Sequence, residues 1–301
     1  MLSILIPTYN YNIQPLIFEL QKQAEELGFN YEIIIGEDDI TSNLSNKHLT
    51  LNEIKNIKYY INPVNFGRAK NRNELVNKSK FDLLLFLDVD TFPASSNFLK
   101  NYIVFYGENN PSLVFGGLKY QEEKPEADKM LRWVYGNERE AVPFEIRKKE
   151  PFKTIFLSNL LIKKEIMINY CLEESIINYG YEDALFFTNL KNNNISASHI
   201  NNPVYHLGLE SNTIYLKKVD ESLVNLKTLI DTKKINGSDM NLVNAYLILK
   251  KNKLTRFFSY IFKYTKLYLI KKITNKNPSL FFFDLYRLGY LCNLNYLQSR
   301  E

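Results

Sequence analysis

The sequence predicts an α/β protein: a doubly wound, mostly parallel sheet flanked by helices, with a helical extension at its C-terminal end. Three observations carry this reading. Short apolar segments alternate with segments of helical spacing from Leu2 to Leu87. The run Phe81-Asp82-Leu83-Leu84-Leu85-Phe86-Leu87 is almost continuously apolar, as a strand buried on both faces is. Beyond Asn241 the pattern turns helical, basic and aromatic.

Each element follows from local chemistry. Leu2 to Pro7 reads as a strand, with a turn at Thr8-Tyr9-Asn10. Ile13 to Leu27 has helical spacing and ends at Gly28, a C-cap residue. Tyr31 to Ile35 is a β-branched strand running into Glu37-Asp38-Asp39. Leu49 to Asn56 reads as a short helix and Lys58 to Ile61 as a third strand. A turn at Asn65-Phe66-Gly67 precedes a helix over Arg68 to Ser79, and Phe81 to Leu87 is the fourth strand. Ser95 to Tyr106 is helical and Ser112 to Leu118 a strand. Residues 119–153 form a loop-rich excursion with helix around Ala127 to Trp133. Thr154 to Ile162 resumes strand character. Glu173 to Ile177 and Asp183 to Lys191 are helical, Ile195 to His206 holds one or two short strands, and Leu216 to Lys234 is a helix.

Composition narrows the class. The 301 residues are 45% apolar and 14% aromatic, enough for a sizeable core and for aromatic surfaces. Cys171 and Cys292 read as ordinary buried thiols of a reducing compartment, not a disulfide framework. No basic, apolar leader opens the chain and no run reaches the ~18 apolar residues of a membrane span, so the expectation is a cytoplasmic protein. Charge is unevenly placed. Residues 241–301 carry eleven Lys/Arg against two acids, net +9, which leaves −4 on residues 1–240 of a +5 chain. Residues 250–291 interleave lysines with aromatics. They read either as a basic, aromatic helix on an anionic membrane surface, on its inner face, or as an extension packed on protein, a homo-oligomer partner included. Nucleic acid is not expected, because the acidic part carries no nucleic-acid motif.

The chemistry gathers at predicted strand ends. Asp88 and Asp90, at i and i+2, share one side of an extended segment. Like charges so close are costly unless a cation lies between them, although an Asx-rich turn is equally common after a strand. Three more polar clusters, Pro7-Thr8-Tyr9-Asn10, Glu37-Asp38-Asp39 and the segment from Asn65 to Asn73, fall at or beyond other strand ends. In a doubly wound sheet these ends form one crevice, where nucleotides bind.

The order and spacing of these clusters resemble the GT-A glycosyltransferases of family 2. Ser3-Ile4-Leu5-Ile6-Pro7-Thr8-Tyr9-Asn10 looks like that family's first strand and turn. Asn65, Gly67, Arg72 and Asn73 look like its N-x-G-x-x-x-A-R-N segment, Asp88-Val89-Asp90 like its DxD motif, and Gly180-Tyr181-Glu182-Asp183 like its G-x-E-D motif. The resemblance covers residues 1–215. It implies a catalytic domain over 1–240, with a nucleotide-binding half (1–118) and an acceptor and base half (119–240), followed by an extension over 241–301. It further implies a nucleotide-sugar donor, a UDP-sugar, and an acceptor hydroxyl on a glycan or lipid-linked saccharide such as a bacterial surface polymer. Pro7, Thr8, Asn10, Glu37, Asp38, Asn65, Gly67, Arg72, Asp88 and Asp90 would meet the donor. Asp88, Asp90 and His206 would hold Mn²⁺ or Mg²⁺. Asp183 would act as general base for an inverting transfer, with Glu182 orienting the acceptor.

One departure from the family pattern stands out. Where the family shows Asp-Asp-Gly-Ser, this chain has Glu37-Asp38-Asp39-Ile40: the carboxylates survive, leaving Asp38 as the uracil ligand the resemblance implies, but the Gly-Ser turn does not. Several side chains also have ordinary readings. Acids in a first helical turn, such as Glu182 and Asp183, are favoured by the helix dipole alone. Trp133 and Tyr135 suit either an acceptor site or a core, and Asn159 could border the donor sugar. His48 and His199 have no functional context. The rivals are a sugar-nucleotide nucleotidyltransferase, which usually opens with a Gly-rich basic loop that Pro7-Thr8-Tyr9-Asn10 does not supply, and a degenerate binding module.

Overall fold

A computed structural model describes residues 1–176 and 179–298, with side chains described up to residue 294. The chain forms two compact units: residues 1–121, 140–177 and 182–208 in the first, and 122–139, 178–181 and 209–301 in the second.

The first unit is built on a seven-stranded sheet. Its strands are β1 (Leu2–Thr8), β2 (Tyr31–Glu37), β3 (Ile57–Ile61), β4 (Leu83–Leu87), β6 (Leu113–Phe115), β8 (Asn159–Lys163) and β9 (Ala197–His199), in the order β3-β2-β1-β4-β8-β6-β9. Pairings among β1, β2, β3 and β4 are parallel, β8 runs antiparallel to both β4 and β6, and β9 is parallel to β6. The apolar run read from the sequence becomes β4, and all five of its residues are buried. Chain order reverses between β1 and β4, so the crevice beyond Thr8 and Leu87 is a topological switch point, the place where such sheets bind ligands.

Helices cover this sheet: α1 (Gln14–Leu27), α2 (Ser45–Leu49), α3 (Gly67–Lys78), α4 (Phe98–Asn109) and others described with the elements they join. Gly28 caps α1 in the left-handed region at φ 64°, donating its N–H to Ala24 and Glu25, as expected of a C-cap glycine. A small second sheet joins β5 (Thr91–Pro93), β10 (Val204–His206) and β7 (Leu118–Lys119). Its β5–β10 pairing is antiparallel and sets His206 opposite Thr91, one residue beyond Asp90.

Several expectations shift. The strand expected over Ser112 to Leu118 is two strands, β6 and β7, in different sheets. The chain breaks at Gly116-Gly117, where Gly117 has φ 105° and the Arg147 guanidinium fills the space a side chain would need. The strand expected from Thr154 starts only at Asn159. The helix expected at Leu49 to Asn56 lies earlier, as α2 followed by a 3-10 turn at Thr50–Glu53. Cys292 is buried as expected, but Cys171, in the segment after α7, is exposed; residues 173–176 contain a turn and no helix, and Ile177 lies outside the described residues. The excursion after β7 holds α5 (Met130–Tyr135) and α6 (Phe144–Arg147). Helix α7 (Lys164–Asn169) follows β8 directly, and α8 (Glu182–Asn192) opens with the two acids.

The second unit is helical. It joins α5 to α9 (Asn212–Asp231), α10 (Asn241–Lys251), α11 (Thr255–Ile273) and α12 (Leu280–Gln298). Helices α11 and α12 pack through Phe262, whose ring meets Tyr286 and Tyr290. Gly289 permits this approach, since any side chain there would strike the Phe262 ring. Tyr286 donates to Asp220 on α9 at 2.8 Å. Tyr135 sits against Tyr215 and Phe283, so its aromatic surface serves this core.

Candidate active site

The acids after β2 are held by their own backbone. Glu37 is fully buried. Its carboxylate accepts the N–H groups of Asn10 (2.9 Å) and Asp39 (3.0 Å) and the Tyr59 hydroxyl (3.1 Å). Asp38 accepts from Asn62 Nδ2 (2.9 Å) and from the N–H groups of Phe66 and Gly67, both at 2.8 Å. It thereby satisfies amides at the start of α3 that the helix itself leaves unpaired. Asn65 helps by accepting from the Gly67 N–H at 2.9 Å. Glu37 and Asp38 therefore shape the loop. Asp39, which the sequence left unassigned, uses one oxygen on Thr41 and has no hydrogen bond on the other among the described residues.

Neighbouring positions on β1 differ. Pro7 and Thr8 end β1, and Thr8 Oγ1 is buried without a hydrogen-bond partner among the described residues. A buried hydroxyl left unpaired is costly, so it marks a place where a ligand atom fits. Asn10 adopts φ 45° and accepts from Ser42 through its side chain. Asn73 clamps Leu172 through both backbone groups and is a structural residue. Asn159 is likewise committed: fully buried, it donates to the Gly117 and Asn202 carbonyls and accepts from Tyr102. It is not available to a donor sugar.

Asp88 and Asp90 part company after β4. Arg72, buried on α3, donates to Asp88 Oδ1 at 2.5 Å, and Arg68 Nη2 lies 3.8 Å from Oδ2. Burial pushes the Asp88 carboxyl up, but Arg72 and then Arg68 outweigh it and hold it below the usual range. Arg72 thus engages Asp88. Asp90 faces His206 instead, with Oδ2 3.4 Å from Nε2. The Leu207 N–H donates to the Asp90 carbonyl at 2.8 Å, and Gly208 leaves room for the carboxylate, because a side chain there would collide with it. Tyr120 stacks on the His206 ring at 5.3 Å and donates to Glu140. Burial, and then the Asp90 charge, raise the Tyr11 hydroxyl.

The start of α8 completes the cluster. Arg68 Nε donates to Glu182 at 2.9 Å, and Arg72 Nη1 lies 4.0 Å away. Asp183 Oδ2 accepts the Leu157 N–H at 3.1 Å, while Oδ1 is buried with no partner among the described residues. Burial first, then Glu182, push its carboxyl up to about 6 against the pull of Arg72 and Arg68. A carboxyl so tuned titrates close to neutral pH, as general bases do.

The donor set suits a divalent cation in part. Asp90 and His206 offer one oxygen and one imidazole nitrogen side by side, a pair acceptable to Mn²⁺. Asp88 is turned to the arginines, and no group of three or more His, Cys, Asp or Glu close enough to cage an ion occurs among the described residues. A cation here would need further oxygens from water and a diphosphate.

The model of the family described as "Glycosyl transferase family 2" matches residues 3–166, more than half of the chain and every strand from β1 to β8. The chain belongs to this family. Among solved structures, this family 2 member is similar to Staphylococcus aureus TarS 1–349 in complex with UDP-GlcNAc, at 15% identity, covering 99% of this chain and 92% of that one with a TM-score of 0.52. It is also similar to the mannosyltransferase PcManGT from Pyrobaculum calidifontis in complex with GDP-Man and Mn²⁺. That match has 12% identity, 76% and 64% coverage and a TM-score of 0.54. Against a longer TarS chain it has 19% identity and a TM-score of 0.50, covering 76% of this chain but only 39% of that one. These likenesses show a GT-A fold. No curated protein sequence matches the chain significantly.

The geometry also displays residues the sequence reading passed over. Arg68, Tyr120, Tyr11 and Asp39 all stand at the crevice or support it. Arg68 carried the clearest signal, one helical turn before Arg72 and on the same face.

Proposed function

We propose that the chain is an inverting glycosyltransferase that moves a sugar from a nucleotide-sugar donor, a UDP-sugar, to a hydroxyl of a glycan or lipid-linked saccharide in surface-polysaccharide synthesis. It would work at the inner face of a cell membrane as a peripheral protein. The observation that carries this reading is Asp183: one oxygen anchored by Leu157 N–H, the other buried with no hydrogen-bond partner among the described residues, in a carboxyl tuned to about 6. That the similar structures hold UDP-GlcNAc, and GDP-Man with Mn²⁺, supports a nucleotide-sugar donor.

Asp183 takes the acceptor's proton as its hydroxyl attacks the anomeric carbon. One carboxylate is enough, since the diphosphate leaves without a proton donor, unlike the paired acids of glycoside hydrolysis. A divalent cation held by Asp90 and His206 would offset the charge that grows on the leaving diphosphate. Arg72 and Arg68 hold Asp88, and Arg68 also fixes Glu182 beside the base. Thr8 Oγ1 and the free oxygen of Asp39 offer polar contacts to the nucleoside. Glu37 and Asp38 keep their loop in shape to present them.

Incubating the protein with UDP-GlcNAc, other UDP-sugars or GDP-Man and Mn²⁺ tests the reading, because such sites slowly pass the sugar to water. The expected result is metal-dependent release of the free nucleotide from one donor class. No release and no binding of any donor, with or without metal, would contradict it.

A further inference from the structure

The C-terminal unit carries an exposed apolar face. Along α11, Phe257, Tyr260, Ile261, Tyr264, Leu267 and Tyr268 are all exposed, Leu267 to 81% and Tyr264 to 67%. Their spacing places them within one stripe over about three turns. At the start of α12 Phe281 is 66% exposed. It joins this face through Phe282, whose ring meets Phe281 at 5.6 Å and Tyr268 at 6.0 Å. Soluble monomers rarely leave so long an apolar stripe uncovered.

Charge says what covers it. Arg256, Lys263, Lys271 and Lys272 are exposed in and along the edges of the stripe, and none pairs with an acid among the described residues. No acidic residue occurs from Asn241 to Phe283. A second copy docking face to face would set these cations against their own copies. Nucleic acid would match the charge but give Leu267 and Ile261 nothing to contact. Aromatic rings flanked by lysine are instead the make-up of a helix lying in a lipid interface. No described helix is long and apolar enough to cross a membrane, so the helix would lie in the headgroup plane.

We propose that the α11 face, extended by Phe281, docks on an anionic lipid bilayer. The rings and Leu267 enter the headgroup region, and Arg256, Lys263, Lys271 and Lys272 meet lipid phosphates. This deepens the peripheral-attachment reading above, and the two fail separately.

The test is co-sedimentation of the full chain with vesicles of phosphatidylcholine alone or with one quarter phosphatidylglycerol, across ionic strength. Two variants accompany it: Tyr264→Ser with Leu267→Ser, and Lys263→Glu with Lys271→Glu and Lys272→Glu. Unchanged thermal melting and donor binding show that they are folded. The parent should bind the anionic vesicles only, more weakly as salt rises. The charge variant should lose at least about 100-fold, at roughly 5-fold for each cation removed from the surface. A Tyr264→Trp variant should shift its emission to the blue and be quenched by brominated lipid. If the parent ignores anionic vesicles, both the attachment and this face are wrong. If the parent binds and both variants bind equally well, or the new tryptophan stays in water, attachment stands and the face is overturned. Concentration-dependent self-association that only the variants abolish, without vesicle binding, overturns the lipid in favour of a second copy.

Discussion

Two acidic strand ends of this molecule look alike in sequence and differ in what they do. After β2, the carboxylates of Glu37 and Asp38 receive six hydrogen bonds, four of them from backbone N–H groups. After β4 and at the start of α8, the acids meet Arg72, Arg68 and His206, and Asp183 Oδ1 has no hydrogen-bond partner among the described residues. The lesson is that a carboxylate at a strand end is a ligand only where its hydrogen-bonding capacity is left over. Where the backbone consumes it, the acid is part of the scaffold.

The largest break in this comparison should come at Asp183. Asp183→Asn keeps the shape and can still accept from Leu157, but it cannot take a proton. Transfer to the true acceptor should fall about 10²–10⁴-fold with donor affinity unchanged. Steady-state kinetics beside calorimetry of the donor will show it, and near-parental transfer would remove Asp183 from its role.

Asp38→Ala should instead cost stability. It strips three hydrogen bonds from a charged acceptor and leaves the Phe66 amide unpaired at the start of α3, while the Gly67 amide keeps only Asn65. The expected loss is about 2–4 kcal/mol in denaturant unfolding. A variant as stable as the parent but unable to bind nucleotide would make Asp38 a ligand after all.

The smallest effect is in pH. The Asp183 carboxyl is raised in the fold from 3.8 to about 6, so it is protonated and idle below that value. The rate should rise with pH through about 6 and fall tenfold per unit below it. Stability moves the other way. The buried charge weakens the fold increasingly from pH 3.8 to about 6 and fully above. Asp183→Asn should therefore melt higher than the parent at pH 7.5, with the gain gone below pH 3.8. A pH–rate profile and melting curves at the two extremes check both signs.

Much of this was legible beforehand, and the rest was hidden for physical reasons. The alternation of apolar strands with helical spacing, the Gly28 cap and the run that became β4 are local signals, and they placed the crevice. The antiparallel direction of β8 depends on what lies beside it, which no periodicity encodes. Gly116-Gly117 split one apolar run between two sheets; the glycine pair signals a turn, but not that the chain changes sheets there. Which acids are free was equally hidden, because the amides that occupy Asp38 come from residues 66 and 67, a long way along the chain. His206 was legible only as one histidine after a strand. The β5–β10 pairing is what brings it to Asp90.

The central claim is that Asp90 with His206, and not the acids after β2, holds a cation for the donor. Calorimetry of UDP with and without Mn²⁺ on the parent and on Asp90→Ala tests it most directly. The account predicts an Asp90→Ala protein with an unchanged melting temperature, whose UDP affinity no longer responds to Mn²⁺. An Asp90→Ala protein that binds UDP as tightly as the parent, with the same metal dependence, would contradict it.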